Sequence, residues 1–399
     1  MFDAIVVGLG AVGSAATWQL AKRGAKVLGI DRHSPPHAMG SSHGDTRITR
    51  LAIGEGAHYT PLVLRSHEIW RDIESRTGED LFVETGMLVI SSDQRRATTH
   101  VANFFENTLE AARRYGIAHE VLDATAIRRR FPRFNISGNE TGYFEKGAGY
   151  LRPEACVSAQ LRLAEEHGAT LHRDERVVSC ESYPGGVRVR TDRGQYEAPH
   201  AIIAAGPWLH ELVPPEVSRH FTVTRQVLFW FEAKAPLTRF TPPEFPVWIW
   251  ELQDRSHVIY GFPSIDGPHG GVKIATEQYA RTTTPHELVR DVSDEEKRSM
   301  YEELVAPYLP DVTSRCVKAV ACMYTAAPDF HFVIDRHPGI PGAIVASACS
   351  GHGFKHSAAI GEALAQEILE GARQDLNGAQ QILDKRFRLD LGAFRLDRF

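Results

Sequence analysis

The chain of 399 residues, 43% of them hydrophobic, is long enough to bury a large core and points to two domains rather than one. Its formal net charge of -5 mixes both signs, so nothing marks a nucleic-acid footprint, and no apolar run is long enough to span a bilayer. The five cysteines (Cys156, Cys180, Cys316, Cys322 and Cys349) are odd in number, irregularly spaced and without a CxxC pair, which speaks against a zinc site or a disulfide framework and fits a reducing cytosol.

Ala4 to Val7 reads as a short buried strand, followed by Gly8-Leu9-Gly10-Ala11-Val12-Gly13. The apolar start, Ala4 to Ala16, is not read as a signal peptide, because Asp3 precedes it, no basic segment leads it, and glycines interrupt it. Ser14 to Arg23 reads as a helix ending before Gly24, and Lys26 to Ile30 as a second strand closed by Asp31, which completes a β-α-β unit. A helix over 61–74 starts at Pro61 and carries Ile69, Trp70 and Ile73 on one face.

The middle is strand-rich, with short strands expected at Thr141–Phe144, Ala169–His172, Val187–Thr191, Ala201–Ala205, Arg225–Phe231 and Val258–Phe262. A helix near 293–306 opens with a capping box between Ser293 and Glu296. A last strand, Ala343–Ala348, leads through a glycine-rich turn into a helix with Ile360, Leu364 and Ile368 on one face. No internal repeat or low-complexity linker separates these parts, so the domains are expected to interleave.

The glycines explain the first unit. Gly8 permits a tight turn, Gly10 lets a pyrophosphate approach the backbone, and Gly13 lets helix and strand pack closely. Asp31, 23 residues after Gly8, is placed to accept a ribose hydroxyl. Strand, turn, helix and acid together predict a bound dinucleotide, although the motif does not separate FAD from NAD.

Further motifs follow: Pro35-Pro36-His37; Ser42-His43-Gly44-Asp45-Thr46-Arg47 with Arg50; Gly54-Glu55-Gly56; Tyr260-Gly261-Phe262-Pro263; Lys273; Ala321-Cys322-Met323-Tyr324; and Ser350-Gly351-His352-Gly353-Phe354-Lys355. In this order they resemble the monomeric sarcosine oxidase and N-methyltryptophan oxidase family over essentially the whole chain. The resemblance implies an α/β plus α+β fold: a Rossmann-type FAD domain of the glutathione-reductase kind, from 1–84, 145–219 and 318–399, interleaved with a mixed-sheet substrate domain from 85–144 and 220–317. It implies FAD contacts from Gly8, Gly10, Gly13, Asp31, Arg32, Ser42, Thr46, Val177, Gly351, Gly353, Phe354 and Lys355. It also implies a thioether from the flavin 8α carbon to Cys322, which on its own residues would be a small buried hydrophobe. No metal is implied. A small amine, O2 and a monomeric, cytoplasmic chain are.

The resemblance gives roles to the remaining residues. Lys273, otherwise an edge lysine in solvent, would sit over the flavin and help O2 accept electrons, since a fixed ammonium stabilises the anion that forms. Arg50 and Lys355 would hold the substrate carboxylate; alternatively, Arg50 forms a structural ion pair with Glu55 or Asp45. His43, Thr46 and Arg47 would form the flavin-facing loop, or else a turn with its own hydrogen bonds. Tyr260 is either a pocket hydroxyl or a core aromatic. Asp335 lies near the cofactor in the family and is given no chemistry.

Two departures bear on the substrate. Where sarcosine oxidases carry a histidine four residues after the lysine, this chain has Glu277, which either favours a substrate with an additional cationic or hydroxyl group or reaches solvent. Trp248 and Trp250 fill a less bulky stretch of the family and would line the substrate pocket. The expected activity is oxidation of a small secondary (N-methyl) amino acid to an imine and formaldehyde, with hydrogen peroxide. The rivals are an oxidase of a cyclic or bulky amino acid such as pipecolate, proline or N-methyltryptophan, a dehydrogenase that passes electrons to a quinone or protein, and a non-catalytic flavin-binding or redox-sensing protein.

Overall fold

The computed structural model describes residues 1–97, 100–234, 236–267, 269–374 and 392–399. Two large sheets organise them. The first has six strands in the order Val333–Arg336, Ala343–Ser347, His200–Ile203, Ala4–Val7, Val27–Ile30, Thr170–His172, parallel except at the first pair. Its central strands are buried on both faces, which is why Ala4–Val7 and Ala201–Ile203 read as unbroken apolar runs.

One face of this sheet packs on the helices Ala11–Lys22, Pro153–Glu166, Thr60–Thr77 and Ser357–Gln374. Ile360, Leu364 and Ile368 are buried on the last of these, as their spacing predicts. Gly361 brings that helix against the first: a Cβ there would lie 2.4 Å from the Ala15 Cβ. The other face is covered by a three-stranded antiparallel sheet, Val177–Tyr183, Gly186–Thr191 and Gln195–Ala198.

The second large sheet has eight strands in the order Val312–Ala326, Thr222–Ala233, Val272–Thr276, Val258–Phe262, Val247–Glu251, Met87–Ser92, Glu140–Glu145, Glu120–Asp123. It is mixed, because Val247–Glu251 runs parallel to Met87–Ser92 while its other pairs are antiparallel. The boundary expected at 318 falls inside the strand Val312–Ala326, which pairs along its length with Thr222–Ala233. A small antiparallel sheet pairs Arg47–Thr49 and Phe82–Glu84 on either side of Gly149–Leu151.

Expected and observed elements differ mainly at their ends. The first helix starts at Ala11, three residues earlier than expected, because the glycine turn runs into it with no side-chain cap at Gly10. The helix near 293–306 keeps its capping box, but it is regular only over Asp294–Met300 and widens to a π turn at Tyr301–Val305. Among the described residues, no helix is long and apolar enough to cross a membrane.

Candidate active site

The glycine turn is a cradle that side chains cannot enter. A Cβ on Gly13 would lie 1.7 Å from the Gly8 carbonyl oxygen, and one on Gly8, whose φ is 85°, would lie 2.5 Å from the Ala204 carbonyl oxygen. Asp31 anchors the turn, accepting hydrogen bonds from the Leu9 amide at 2.7 Å and the His33 amide at 2.8 Å. The Ser42 hydroxyl accepts from the Ala11 amide at 3.1 Å, tying the next loop to the helix N-terminus.

Two adjoining cavities open from this cradle, sharing Gly10, Ser42, Ala204, Gly206 and Pro207 in their walls. The smaller is walled by Asp31, Arg32, Val177 and Trp208. The larger runs to the face of the eight-stranded sheet. Together they reach from Asp31 at the end of the second strand, past the glycine turn, to Lys273 on the eight-stranded sheet. Two buried polar atoms nearby, the Ser41 hydroxyl and His43 Nε2, have no partner among the described residues, as expected of groups that meet a polar ligand.

Strand alternation builds the roof of the large cavity. Cys322 and Tyr324, Leu228, Lys273, Tyr260 and Phe262, and Ile249 come from five neighbouring strands, and one residue past its strand Glu277 continues the face of Lys273. Lys273 is 2% exposed and donates to three oxygens, the Gly44 carbonyl at 2.7 Å, the Thr46 carbonyl at 2.8 Å and the Thr46 hydroxyl at 3.1 Å. Burial and then the Arg47 guanidinium push its ammonium well below the ordinary lysine range, while three matched acceptors favour the protonated form.

The loop beneath is held from behind. Glu154, in the first turn of its helix, accepts from the Gly44 amide at 2.6 Å and the Asp45 amide at 3.2 Å. Arg47 donates to the Thr46 and Ser41 carbonyls at 2.8 Å each and has no carboxylate partner among the described residues. Burial, reinforced by Arg47, drops His43 to about 3, so its ring is neutral. Tyr260 and Tyr324 share a hydroxyl contact at 3.2 Å, and burial raises both phenols.

At the cavity's other end, Arg50, Glu55 and Lys355 form a buried cluster. Arg50 meets the Glu55 carboxylate at 2.5 Å, and Lys355 meets its other oxygen at 3.4 Å. Burial opposes ionisation of Glu55, but Arg50 and Lys355 hold its carboxyl well below the usual range. Burial lowers Lys355 to about 8, with Glu55 resisting. At neutral pH the cluster therefore carries two positive charges and one negative. Glu145 fixes the adjacent backbone, accepting from the Leu51 amide at 2.7 Å, the Ala52 amide at 3.1 Å and the Tyr143 hydroxyl at 2.8 Å.

The family model described as FAD dependent oxidoreductase matches residues 3–367. A monomeric sarcosine oxidase of Streptomyces avermitilis is 41% identical over 371 residues, 93% of this chain and 94% of that protein. An N-methyl-L-tryptophan oxidase of Salmonella dublin is 33% identical over 403 residues, 100% of this chain and 99% of that protein. The chain belongs to the sarcosine oxidase and N-methyltryptophan oxidase family of FAD-dependent enzymes. Among solved structures, NikD, an unusual amino acid oxidase essential for nikkomycin biosynthesis, superposes in its open form with a TM-score of 0.80 at 26% identity, over 96% of each chain.

As a flavin amine oxidase the chain draws most of its expected residues to one place. Gly10, Ser42, Thr46, Arg47, Arg50, Tyr260, Lys273, Glu277, Cys322, Gly351, Gly353, Phe354 and Lys355 all line the large cavity. Four expectations, for Trp248, Trp250, Arg32 and Asp335, need revising. Trp248 is fully buried on the opposite face of its strand, edge-on to Phe134 at 5.4 Å, and Ile249 is the residue that faces the cavity. Gly261 makes room for the indole, since a Cβ there would lie 2.4 Å from it. Trp250 packs on that far face too, against Phe134 and Tyr308. Arg32 reaches the smaller cavity but is already paired with Glu211 at 2.6 Å. Asp335 anchors the Leu396 amide at 2.8 Å instead of facing the cavity.

Sequence reasoning missed Glu145, Glu154 and His100. Glu154 carries a helix-start signal through Pro153 and its own acidic first-turn position, but nothing local says that it reaches 110 residues back. His100 meets Glu277 at 3.1 Å, and no motif precedes it.

Proposed function

We propose that the protein oxidises a small secondary amino acid of the sarcosine type, with O2 as electron acceptor, as a monomer. The observation that carries this reading is the surplus positive charge at Arg50, Glu55 and Lys355, in the wall of the same cavity as Lys273: two cations and one carboxylate leave room for one more carboxylate. The tryptophan-lined wall that would have favoured a bulky substrate is not there. In this reading the flavin domain holds the six-stranded sheet and the substrate domain the eight-stranded one.

Bound FAD supplies a two-electron acceptor for the C–H bond beside the amine nitrogen. The chain's own residues do the rest. Arg50 and Lys355 hold the carboxylate and fix the N-methyl group in one orientation. Arg47, which has no carboxylate partner among the described residues, would lie against the flavin ring system and favour negative charge on it. Water then adds to the imine to give formaldehyde and the primary amino acid, and two electrons and two protons convert O2 to hydrogen peroxide beside Lys273. Anaerobic addition of sarcosine, pipecolate, proline and N-methyltryptophan tests the reading. Rapid bleaching of the visible flavin band by sarcosine supports it, and bleaching by none of them removes it.

The same reading ties the flavin to Cys322, whose thiol is buried in the cavity wall and pushed up by that burial. In acid-precipitated wild type the yellow colour is expected to stay with the pellet, and Cys322→Ser should release it to the supernatant. Cys349 lines the same cavity, so Cys349→Ser is the control and should leave the colour in the pellet.

Lys355 adds a pH dependence. Above about 8 its ammonium deprotonates and the cluster falls from one net positive charge to none. A simple carboxylate such as propionate, which does not itself titrate there, is expected to bind progressively more weakly as the pH rises through that value, read by flavin difference spectra. Lys355→Met should bind more weakly throughout and lose that step.

A further inference from the structure

Three other carboxylates around the cavity are paired with cations or backbone amides of the chain itself. Glu55 is held by Arg50 and Lys355, Glu145 by two backbone amides and a phenol, and Glu154 by two backbone amides. Glu277 differs. It lines the cavity, 18% exposed at the side chain, and its ion partner among the described residues is His100, Nδ1 to Oε2 at 3.1 Å. A histidine is a cation only when protonated.

His100 is itself walled in. Its ring stacks on His352 with 5.4 Å between centroids and 13° between planes, and Phe330 lies 5.3 Å away. Its side chain is 1% exposed, and Nε2 has no partner among the described residues. The pair therefore leaves one carboxylate oxygen of Glu277 facing the cavity, compensated by a base that can give up its proton. Burial disfavours the charged imidazole while Glu277 favours it, and the net effect raises its pKa, so the pair is held together in the free enzyme.

The strand sets the distance scale. Glu277 lies four residues beyond Lys273, roughly 13 Å along an extended chain, and within electrostatic reach of the Lys355 ammonium. The cavity thus has a cationic subsite at Arg50 and Lys355 and an anionic one at Glu277.

Resting on the reading above that Arg50 and Lys355 take the substrate carboxylate, we propose that Glu277 is a specificity residue that, among secondary amino acids longer than sarcosine, favours those bearing a second, positively charged group, an ammonium or guanidinium, on the side chain. A cation arriving there replaces the charge of His100. An apolar side chain of the same length leaves the carboxylate facing hydrocarbon, which costs affinity.

The test titrates oxidised holoenzyme with carboxylates that lack an oxidisable secondary amine, each paired with a neutral chain of equal length: 4-aminobutanoate with pentanoate, 5-aminopentanoate with hexanoate, 6-aminohexanoate with heptanoate. Binding is read from the flavin spectrum. At one chain length or more, the amino compound should bind about tenfold more tightly than its partner, as one charge-assisted contact implies. Glu277→Gln should erase that preference, weakening the amino compounds while the neutral ligands bind at least as tightly as before. Equal binding within every pair, or a preference that survives in Glu277→Gln, overturns the proposal. Failure of every carboxylate to bind would instead overturn the Arg50–Lys355 subsite, and this proposal with it.

Discussion

Replacing Lys273 with methionine is expected to slow reoxidation of the reduced enzyme by O2 about 10²- to 10³-fold, the loss that follows removal of one fixed donor from a developing anion. Anaerobic reduction by substrate should change far less. The first electron to O2 creates an anion, and a buried ammonium already held by the Gly44 carbonyl and by Thr46 needs no reorganisation to stabilise it. Methionine keeps the volume and removes the charge. It also leaves two buried carbonyls short of a donor, at about 1–3 kcal/mol each, so some loss of stability accompanies it. Stopped-flow measurement of each half-reaction separates the effects, because a purely structural loss depresses both alike. An equal fall in the two would end the oxygen role. The sign of the pH effect follows from the same geometry. Burial and Arg47 lower the ammonium's pKa, so reoxidation should decline as pH rises through a value below that of an ordinary lysine.

Arg50→Met is expected to weaken carboxylate binding about a hundredfold or more and to destabilise the fold by about 3–5 kcal/mol, the usual cost of stranding one member of a buried ion pair. Arg50 is 1% exposed, lies 4.6 Å over the Phe104 ring and meets Glu55 at 2.5 Å. Without it Glu55 keeps, among the described residues, the Lys355 ammonium at 3.4 Å. The two losses come apart in the double variant Arg50→Met, Glu55→Gln. Neutralising the stranded carboxylate should restore most of the stability, read as Tm, and none of the affinity, read by spectral titration. If the double variant also regained carboxylate affinity, Arg50 would be a structural ion pair and nothing more.

Much of this is legible in the amino-acid sequence. The glycine turn with its flanking strand, helix and Asp31 names a dinucleotide fold, because each residue answers a local steric demand. Ser42, Thr46, Arg47 and Arg50, then Lys273, Cys322 and residues 351–355, lie far apart in the chain yet line one cavity. The stretch Val247-Trp248-Ile249-Trp250-Glu251 misled for a physical reason. Four consecutive apolar residues in a strand buried on both faces carry no alternation, so nothing local says which face meets the pocket. Both readings of Arg50 proved compatible with the fold, since it pairs with Glu55 and still lines the cavity. The Glu277–His100 contact, 177 residues apart, depends on how a loop docks against a strand end, and that is decided by tertiary packing alone.

The six-stranded sheet has a consequence for how the protein comes into being. Ala4–Val7 is paired on one side with Val27–Ile30, available at once, and on the other with His200–Ile203, whose own outer neighbour is Ala343–Ser347. The eight-stranded sheet likewise waits for Val312–Ala326. Most of the stabilising contacts near the cradle are therefore nonlocal, which makes for slow folding with a long interval of exposed strand edges. During synthesis the glycine turn leaves the ribosome hundreds of residues before Lys355 arrives to complete the cavity wall. Cofactor capture is thus a late event, and a truncated nascent chain holds half a cradle with nothing to close it.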